Sequence, residues 1–217
     1  MPPETTPPGP TPPEPLREAS LADRAVFAAQ FVRAPVATAS VWPSSTALAR
    51  AMADAALRTG HPHPAVVELG AGSGAFTGLL AHRLAGRGRQ LAVEINPVLA
   101  HRVAERFPAV EVVPADVAEL GALLALRGIR GAQAVVSGLG WSATRPGRED
   151  SLLPVVARAL ADDGVFVQFA YCWTAWAGPA RALRAELDEC FAEVETSPVV
   201  WRNLPPAVVY RASSPRR

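Results

Sequence analysis

Three glycines at alternate positions, Gly70, Gly72 and Gly74, follow an apolar run that ends in an acid, Glu68. A helical pattern begins directly afterwards, so the sequence predicts a buried strand, a tight turn and a helix. Glycines suit such a turn because a side chain would hold the backbone away from a ligand and would disfavour positive φ. The pattern favours a nucleotide-type cofactor bound at the helix N-terminus. It does not identify that cofactor, because the loop also satisfies the dinucleotide pattern G-x-G-x-x-G/A.

Acidic residues follow three successive predicted strands, where ligands bind in a parallel sheet. Glu68 can orient the glycine loop or the amino group of a methionine moiety. Glu94 offers two acceptor oxygens to a pair of ribose hydroxyls, unless it is only a surface acid. Asp116 is placed to accept from an adenine amino group, unless it only caps the next helix. Together with the loop, these acids favour S-adenosylmethionine (SAM) and a methyltransferase. A nicotinamide enzyme has no fixed need for Asp116 and would need a catalytic His, Lys or Tyr set.

The candidate site residues lie on the glycine loop or directly after strands. The candidate cofactor-binding residues are Ser45, Glu68, Gly70, Ala71, Gly72, Ser73, Gly74, Glu94, Ile95, Asp116, Val117 and Ser137. Tyr171 and Ser137 are the candidates for orienting the methyl acceptor. The candidate substrate residues are Leu139, Gly140, Trp141, Tyr171 and Trp173. Trp141, Tyr171 and Trp173 could form a cage that holds an ammonium by cation–π attraction, or the two tryptophans could be apolar lid or membrane-interface residues.

From residue 65 onwards, strand and helix patterns alternate along the chain. The predicted strands are Ala65–Leu69, Gln90–Ile95, Ala109–Val113, Gln133–Ser137, Gly164–Tyr171, Glu193–Trp201 and Ala207–Arg211. The predicted helices between them are Ala75–Leu84, Pro97–Arg106, Val117–Leu126, Arg148–Ala161 and Pro179–Phe191. This alternation of strands and helices predicts an α/β, doubly wound, Rossmann-like fold of the class I methyltransferase type. We expect a mostly parallel seven-stranded sheet with an antiparallel C-terminal edge.

The sequence pattern divides the chain into three regions. Residues 1–16 are rich in Pro and are expected to be disordered. Residues 17–60 are expected to form N-terminal helices that cap the substrate site or contact a membrane, and residues 61–217 to form the SAM-binding domain. Within the second region, Leu21–Arg33 places apolar side chains on one face with Arg at its edges. That pattern is typical of a helix that packs on the domain or of one that lies in a membrane interface.

The helix pattern Thr46–Leu57 is preceded by two serines, Ser44 and Ser45. One of them is expected to cap the helix and the other to face the cofactor.

Composition excludes several classes of function. The chain has no Lys, which removes Schiff-base chemistry, and its net charge of +1 argues against nucleic acid as a partner. His61 and His63 lack a further ligand set, so no metal is expected. Two cysteines, Cys172 and Cys190, fit a reducing cytosol. No apolar run is long enough for a membrane span, and no signal peptide is visible. We expect a cytoplasmic monomer.

Four further stretches accompany the glycine loop. They are Pro43-Ser44-Ser45, Val136-Ser137-Gly138-Leu139, Val167-Gln168-Phe169-Ala170-Tyr171 and Asn203-Leu204-Pro205-Pro206-Ala207. With these motifs the chain resembles the bacterial phospholipid N-methyltransferases of the PmtA type, which are similar to the ribosomal RNA adenine dimethylases. The resemblance implies SAM-dependent methylation of phosphatidylethanolamine towards phosphatidylcholine. It also implies that an N-terminal amphipathic helix docks on an anionic membrane, which makes membrane contact the favoured role of Leu21–Arg33 and the protein peripherally membrane-associated.

The sequence departs from that family next to the expected acceptor pocket. The family usually continues Ser-Gly-Leu with Pro-Leu, where this chain has Gly140-Trp141. A soluble methyltransferase of a specialised small molecule is therefore a second hypothesis, and a non-catalytic SAM-binding module is a third. The ribosomal RNA enzymes carry Asn-x-Pro-Tyr at this point, which Ser137-Gly138-Leu139-Gly140 does not match.

Overall fold

A computed structural model describes residues 45–140, 152–172 and 178–216 of the chain. Its strands are β1 (Ala65–Leu69), β2 (Arg89–Glu94), β3 (Glu111–Pro114), β4 (Ala132–Ser137), β5 (Leu160–Tyr171), β6 (Phe191–Thr196) and β7 (Ala207–Pro215). Its helices are α1 (Thr46–Leu57), α2 (Thr77–Leu84), α3 (Pro97–Arg106), α4 (Leu120–Leu126), α5 (Leu153–Ala159) and α6 (Gly178–Cys190). A 3-10 turn, Val117–Glu119, precedes α4.

The strands form one sheet in the order β3-β2-β1-β4-β5-β7-β6. β1 to β5 are parallel, and β7 is antiparallel to both β5 and β6. This arrangement confirms the predicted fold, including the antiparallel C-terminal edge. Strand order reverses between β1 and β4, so the carboxyl ends of these two strands form the crevice where a doubly wound sheet binds its ligand.

Both faces of the sheet are covered, which explains why the central strands are almost continuously apolar. Val67 and Leu69 of β1 face one core cluster, and Val66 faces the other. α1 packs on the second face, where Leu48 and Met52 are fully buried. Its Ala and Leu side chains therefore serve as core.

Two boundaries differ from the prediction for identifiable reasons. β5 begins at Leu160, whose extended backbone (φ −77°, ψ 152°) ends α5 earlier than predicted. β6 ends at Thr196, well before the predicted Trp201. Pro198 follows within two residues and has no N–H to donate to a ladder, which ends the regular pairing.

Several expectations fall outside the described residues. These are the Pro-rich segment 1–16, the helix Leu21–Arg33, Ser44, Trp141 and Trp173. Within residues 45–140, 152–172 and 178–216, no helix combines the length and apolarity that crossing a bilayer requires.

Candidate functional site

The glycine loop leaves β1 and turns sharply before α2 begins. The N–H of Gly70 donates to the Val93 carbonyl oxygen over 2.8 Å, which ties the loop to the end of β2. Gly70, Gly72 and Gly74 have φ angles of 72°, 53° and 82°, in the region that favours glycine. The turn predicted from the spacing of the glycines is therefore present.

The three glycines are required for different reasons. A Cβ on Gly70 would lie 2.5 Å from the Leu139 side chain, and one on Gly74 would lie 2.6 Å from the Phe107 ring, so internal packing explains both. A Cβ on Gly72 would have only the Gly70 carbonyl oxygen within 4 Å, at 3.9 Å. The surface above Gly72 is thus open, as a loop that holds a cofactor against its backbone requires.

Glu94 closes β2 and reaches the middle of this loop. Its Oε2 accepts from the Gly72 N–H over 2.8 Å, and its Oε1 accepts from the Asn96 N–H over 2.9 Å. The side chain is 7% exposed, so it is held firmly at the inner wall of the crevice. Each carboxylate oxygen can accept more than one hydrogen bond, which leaves capacity for two ribose hydroxyls.

The residues after β2 and β3 lie on the same side of the crevice. Ile95 is 69% exposed directly after Glu94 and offers an apolar surface. Asp116 caps the 3-10 turn, since its Oδ1 accepts from the Ala118 N–H over 2.9 Å. Glu119 completes a capping box with it, a partner that the sequence analysis did not include. The Val117 side chain is buried in the core, so only its backbone is available to a ligand.

Glu68 lies beneath the glycine loop and is fully buried. Its carboxyl oxygens have no hydrogen-bond partner of good geometry among the described residues. Burial raises its pKa to about 8, although Thr77 and Gln90 lie close enough to oppose this shift. In this placement the Glu68 carboxyl accepts no hydrogen bond from the glycine loop, and a side chain without exposed surface cannot contact a methionine amino group.

The loop after β4 packs directly against the glycine loop. The Gly138 N–H donates to the Leu69 carbonyl oxygen over 2.8 Å, and Leu139 covers Gly70. Ser137 is fully buried and accepts from the Leu139 N–H over 3.2 Å. Its hydroxyl therefore shapes this loop and has no exposed surface with which to contact an acceptor.

Gln168 is not among the site residues predicted from the sequence, although it lies within one of the shared motifs. It is 1% exposed, and its Nε2 donates to the Leu139 carbonyl oxygen over 3.0 Å and to that of Phe169 over 2.7 Å. It lies opposite Ser137 in the β4–β5 register. The signal that could have revealed it is a polar side chain inside an otherwise apolar strand.

Tyr171 ends β5 at the same edge of the sheet. Its ring meets that of Phe169 edge-on, with centroids 5.4 Å apart, and Phe169 in turn lies 6.1 Å from Phe76 behind the glycine loop. Burial raises the pKa of the Tyr171 phenol. The phenol is therefore neutral at ordinary pH and can orient an acceptor by hydrogen bonding, but it is not a general base.

Ser45 is the N-cap of α1. Its hydroxyl accepts from the Leu48 N–H over 3.1 Å, and its own N–H donates to the Oδ1 of Asn203 over 3.1 Å. The serine that the sequence analysis placed among the cofactor residues is therefore the helix cap. Asn203 is 1% exposed and also donates to the Pro205 carbonyl oxygen over 2.7 Å. It joins positions 158 residues apart, a contact that no local pattern predicts.

No metal centre forms among the residues described. His61 pairs with Asp163 over 2.9 Å at the surface, and no three His, Cys, Asp or Glu side chains in the described part of the chain converge on a common point.

Comparison with curated proteins identifies a relative of known activity. The ornithine lipid N-methyltransferase of Singulisphaera acidiphila is 36% identical over 148 residues, which cover 67% of this chain and 73% of the relative. The chain belongs to the family of this enzyme. It is accordingly a SAM-dependent methyltransferase. No protein-family model matches the sequence.

Solved structures of methyltransferases share the fold. Human methyltransferase-like protein 13, in complex with SAH, superposes with a TM-score of 0.56 at 21% identity, covering 79% of this chain and 83% of that one. The precorrin-6y C5,15-methyltransferase of Geobacter metallireducens superposes with a TM-score of 0.55 at 19% identity, covering 76% and 86%. At these identities the likeness concerns the fold alone.

Proposed function

We propose that this methyltransferase transfers a methyl group from SAM to the primary amine of a membrane lipid headgroup. The observation that carries the proposal is the 36% identity to a lipid N-methyltransferase. The site supports it, because Glu94 bonds to the loop at Gly72 and Leu139 packs on the same loop at Gly70. Tyr171 ends β5 at this edge of the sheet. Cofactor and acceptor would then lie on neighbouring parts of one crevice.

Within this proposal each residue has a limited role. Bound SAM supplies an electrophilic methyl group on a sulfonium. Glu94 would hold the ribose hydroxyls, and the glycine loop would accommodate the rest of the cofactor against its backbone. Tyr171, as a neutral phenol, would orient the amine. The lipid amine is an ammonium at neutral pH and would first release a proton to water. Its lone pair could then take the methyl group, and the electron pair of the broken methyl–sulfur bond would stay on sulfur. Orientation and exclusion of water therefore carry the rate.

We propose phosphatidylethanolamine as the acceptor, on the strength of the motifs shared with the phospholipid enzymes. Ornithine lipid is the second candidate, since the relative carries that name. Both lipids present a primary amine at the bilayer surface.

Incubation with labelled SAM and separate vesicles of phosphatidylethanolamine or ornithine lipid tests the proposal. Label extracted into one lipid identifies the acceptor, and a Glu94→Ala variant should abolish the label in parallel with SAM binding. Vesicles of phosphatidylcholine, which has no free amine, are the control.

Label that is transferred only to small molecules of a cell extract would contradict the lipid assignment. That result would favour a specialised small-molecule methyltransferase, the hypothesis that Gly140-Trp141 kept open. SAM binding without transfer to any acceptor would favour a non-catalytic SAM-binding module.

A further inference from the structure

Large apolar side chains that remain exposed are concentrated at one edge of the sheet. Among the described residues there are five, namely Ile95, Val98, Leu126, Trp201 and Leu204. Exposed apolar side chains that occur singly need no explanation, but neighbouring ones mark an interaction surface, and Trp201 and Leu204 lie together in one loop.

Four of the five lie at the carboxyl edge, which also carries the cofactor crevice. Ile95 and Val98 follow the end of β2. Trp201 and Leu204 lie in the loop between β6 and β7. That loop is at the same edge because β7 begins at Ala207, opposite Tyr171 at the end of β5. We refer to these four side chains as the apolar rim.

The rim flanks the crevice on both sides. β2 and β7 are separated by β1, β4 and β5 in the sheet. Adjacent strands lie ~4.8 Å apart, so the two halves of the rim are roughly 20 Å from each other with the crevice between them. A flat apolar surface that contacted both halves would cover the opening through which an acceptor enters.

The loop that carries Trp201 and Leu204 has a fixed base. Asn203, between them, is buried and bonded to Ser45 and Pro205. The Val200 N–H donates to the Ala207 carbonyl oxygen over 2.7 Å, which closes the neck of the loop. Trp201 is 76% exposed and Leu204 52% exposed, so both project outward from an anchored turn.

A lipid surface matches the chemistry of this loop. Arg202 is exposed beside Trp201 and forms no ion pair with any described residue. Trp is enriched at membrane–water interfaces, and an Arg near an anionic membrane is attracted to its headgroups. We propose that the apolar rim docks on an anionic lipid bilayer, with Trp201, Arg202 and Leu204 as the principal contact. The inference rests on the proposed lipid substrate, since docking there would present the crevice to the headgroups.

Co-sedimentation of the full chain with vesicles tests the inference. With vesicles of equal parts phosphatidylglycerol and phosphatidylcholine, Trp201→Ala should weaken partitioning by about tenfold, because one large apolar side chain no longer leaves water. Trp201→Phe should restore most of the binding. Arg202→Gln should weaken binding to these vesicles and not to vesicles of phosphatidylcholine alone.

Leu126→Ala is the matched control. Leu126 is 83% exposed at the end of α4, beside Arg127, whose carbonyl oxygen accepts from Arg89 at the start of β2. It therefore lies at the opposite edge of the sheet, and its removal should leave partitioning within about twofold.

Partitioning of Trp201→Ala within about twofold of the unaltered chain would overturn the inference. A second membrane contact elsewhere would not hide the loss, because contributions of independent contacts to the free energy add. The outcome is separable from that of the proposed function. Trp201-dependent binding without lipid methylation would refute the function alone, whereas methylation of detergent-dispersed lipid without Trp201-dependent binding would refute the docking alone.

Discussion

Glu94 connects two parts of the site that are distant in sequence. Its two oxygens accept from Gly72 on the glycine loop and from Asn96 at the start of α3. The carboxylate thus fixes the shape of the loop before any ligand arrives. Under the proposed function, Glu94 would act on the cofactor twice, through its own hydrogen bonds and through the conformation of Gly72.

Glu94→Gln should weaken SAM binding by about ten- to a hundredfold, because hydrogen bonds to a charged acceptor contribute about 1.5–3 kcal/mol each. Titration calorimetry measures the affinity. Glu111→Gln is the control, since Glu111 begins the adjacent strand and pairs with Arg127 at the surface. Equal losses in both variants would show that the effect comes from the fold or the net charge and not from the site.

The roles of individual residues could be predicted only where local sequence determines them. The positions of Glu94 at a strand end and of the glycines in a turn could be predicted, because both follow from apolar pattern and residue type. The complete burial of Glu68 and Ser137 could not, since it depends on which face of the sheet each side chain meets. The sequence does not determine at which residue α1 begins, so it could not show which serine caps this helix. The structure shows that Ser45 is the cap.

Among the elements, the glycine loop offers a test with little ambiguity. Gly72 and Gly86 both have positive φ, and a Cβ would meet no close neighbour at either position. Replacement by Ala should therefore cost each variant a similar 1–2 kcal/mol of stability through backbone strain. Only Gly72→Ala should also lose SAM affinity, by about tenfold or more, because its Cβ would enter the open surface where we propose that the cofactor lies. Calorimetry that showed equal SAM affinity in the two variants would contradict the placement of the cofactor.

The loop after β4 depends on a neighbouring strand for its position. Gln168→Met removes the donor to the Leu139 carbonyl, so this loop should shift and kcat should fall by about ten- to a hundredfold. SAM affinity should change little. The measurement therefore compares the loss of kcat with the loss of SAM affinity in the same variant. Gln133→Met is the control, because the Gln133 side chain accepts a hydrogen bond from the Ala65 N–H at the amino end of β1, away from the crevice. A parallel fall in kcat for both would indicate general destabilisation.

At the scale of the whole molecule, the buried Glu68 makes stability depend on pH. Its pKa is about 8 in the folded chain against 4.5 in the unfolded one. Between these values the folded chain holds a proton that the unfolded chain has released, so stability falls as pH rises, by roughly 1 kcal/mol per pH unit. Below 4.5 both states hold the proton, and above about 8 both have lost it.

Glu68→Gln should remove this slope, and the variant should melt higher than the unaltered chain near pH 8. Thermal melting across the pH range measures the difference. Glu105→Gln, at an exposed position on α3, is the control for loss of one charge. Unchanged slope in Glu68→Gln would show that another group causes the pH dependence.

The sequence predicts the architecture of the sheet much better than it predicts the long-range contacts between loops. Alternating strand and helix patterns predict the parallel strands, and two strands separated by a Pro-rich turn predict the antiparallel edge. The bond between Ser45 and Asn203 has no such signal, because it joins two loops that become neighbours only once the sheet exists.

The position of β7 has a consequence for the order in which the chain folds. β7 follows β6 in sequence but lies between β5 and β6 in the sheet. β6 therefore cannot join the sheet before β7 has paired with β5. Until then the backbone groups of β6 and of the outer side of β5 are unpaired, and such edges are open to pairing with another chain or to capture by a chaperone.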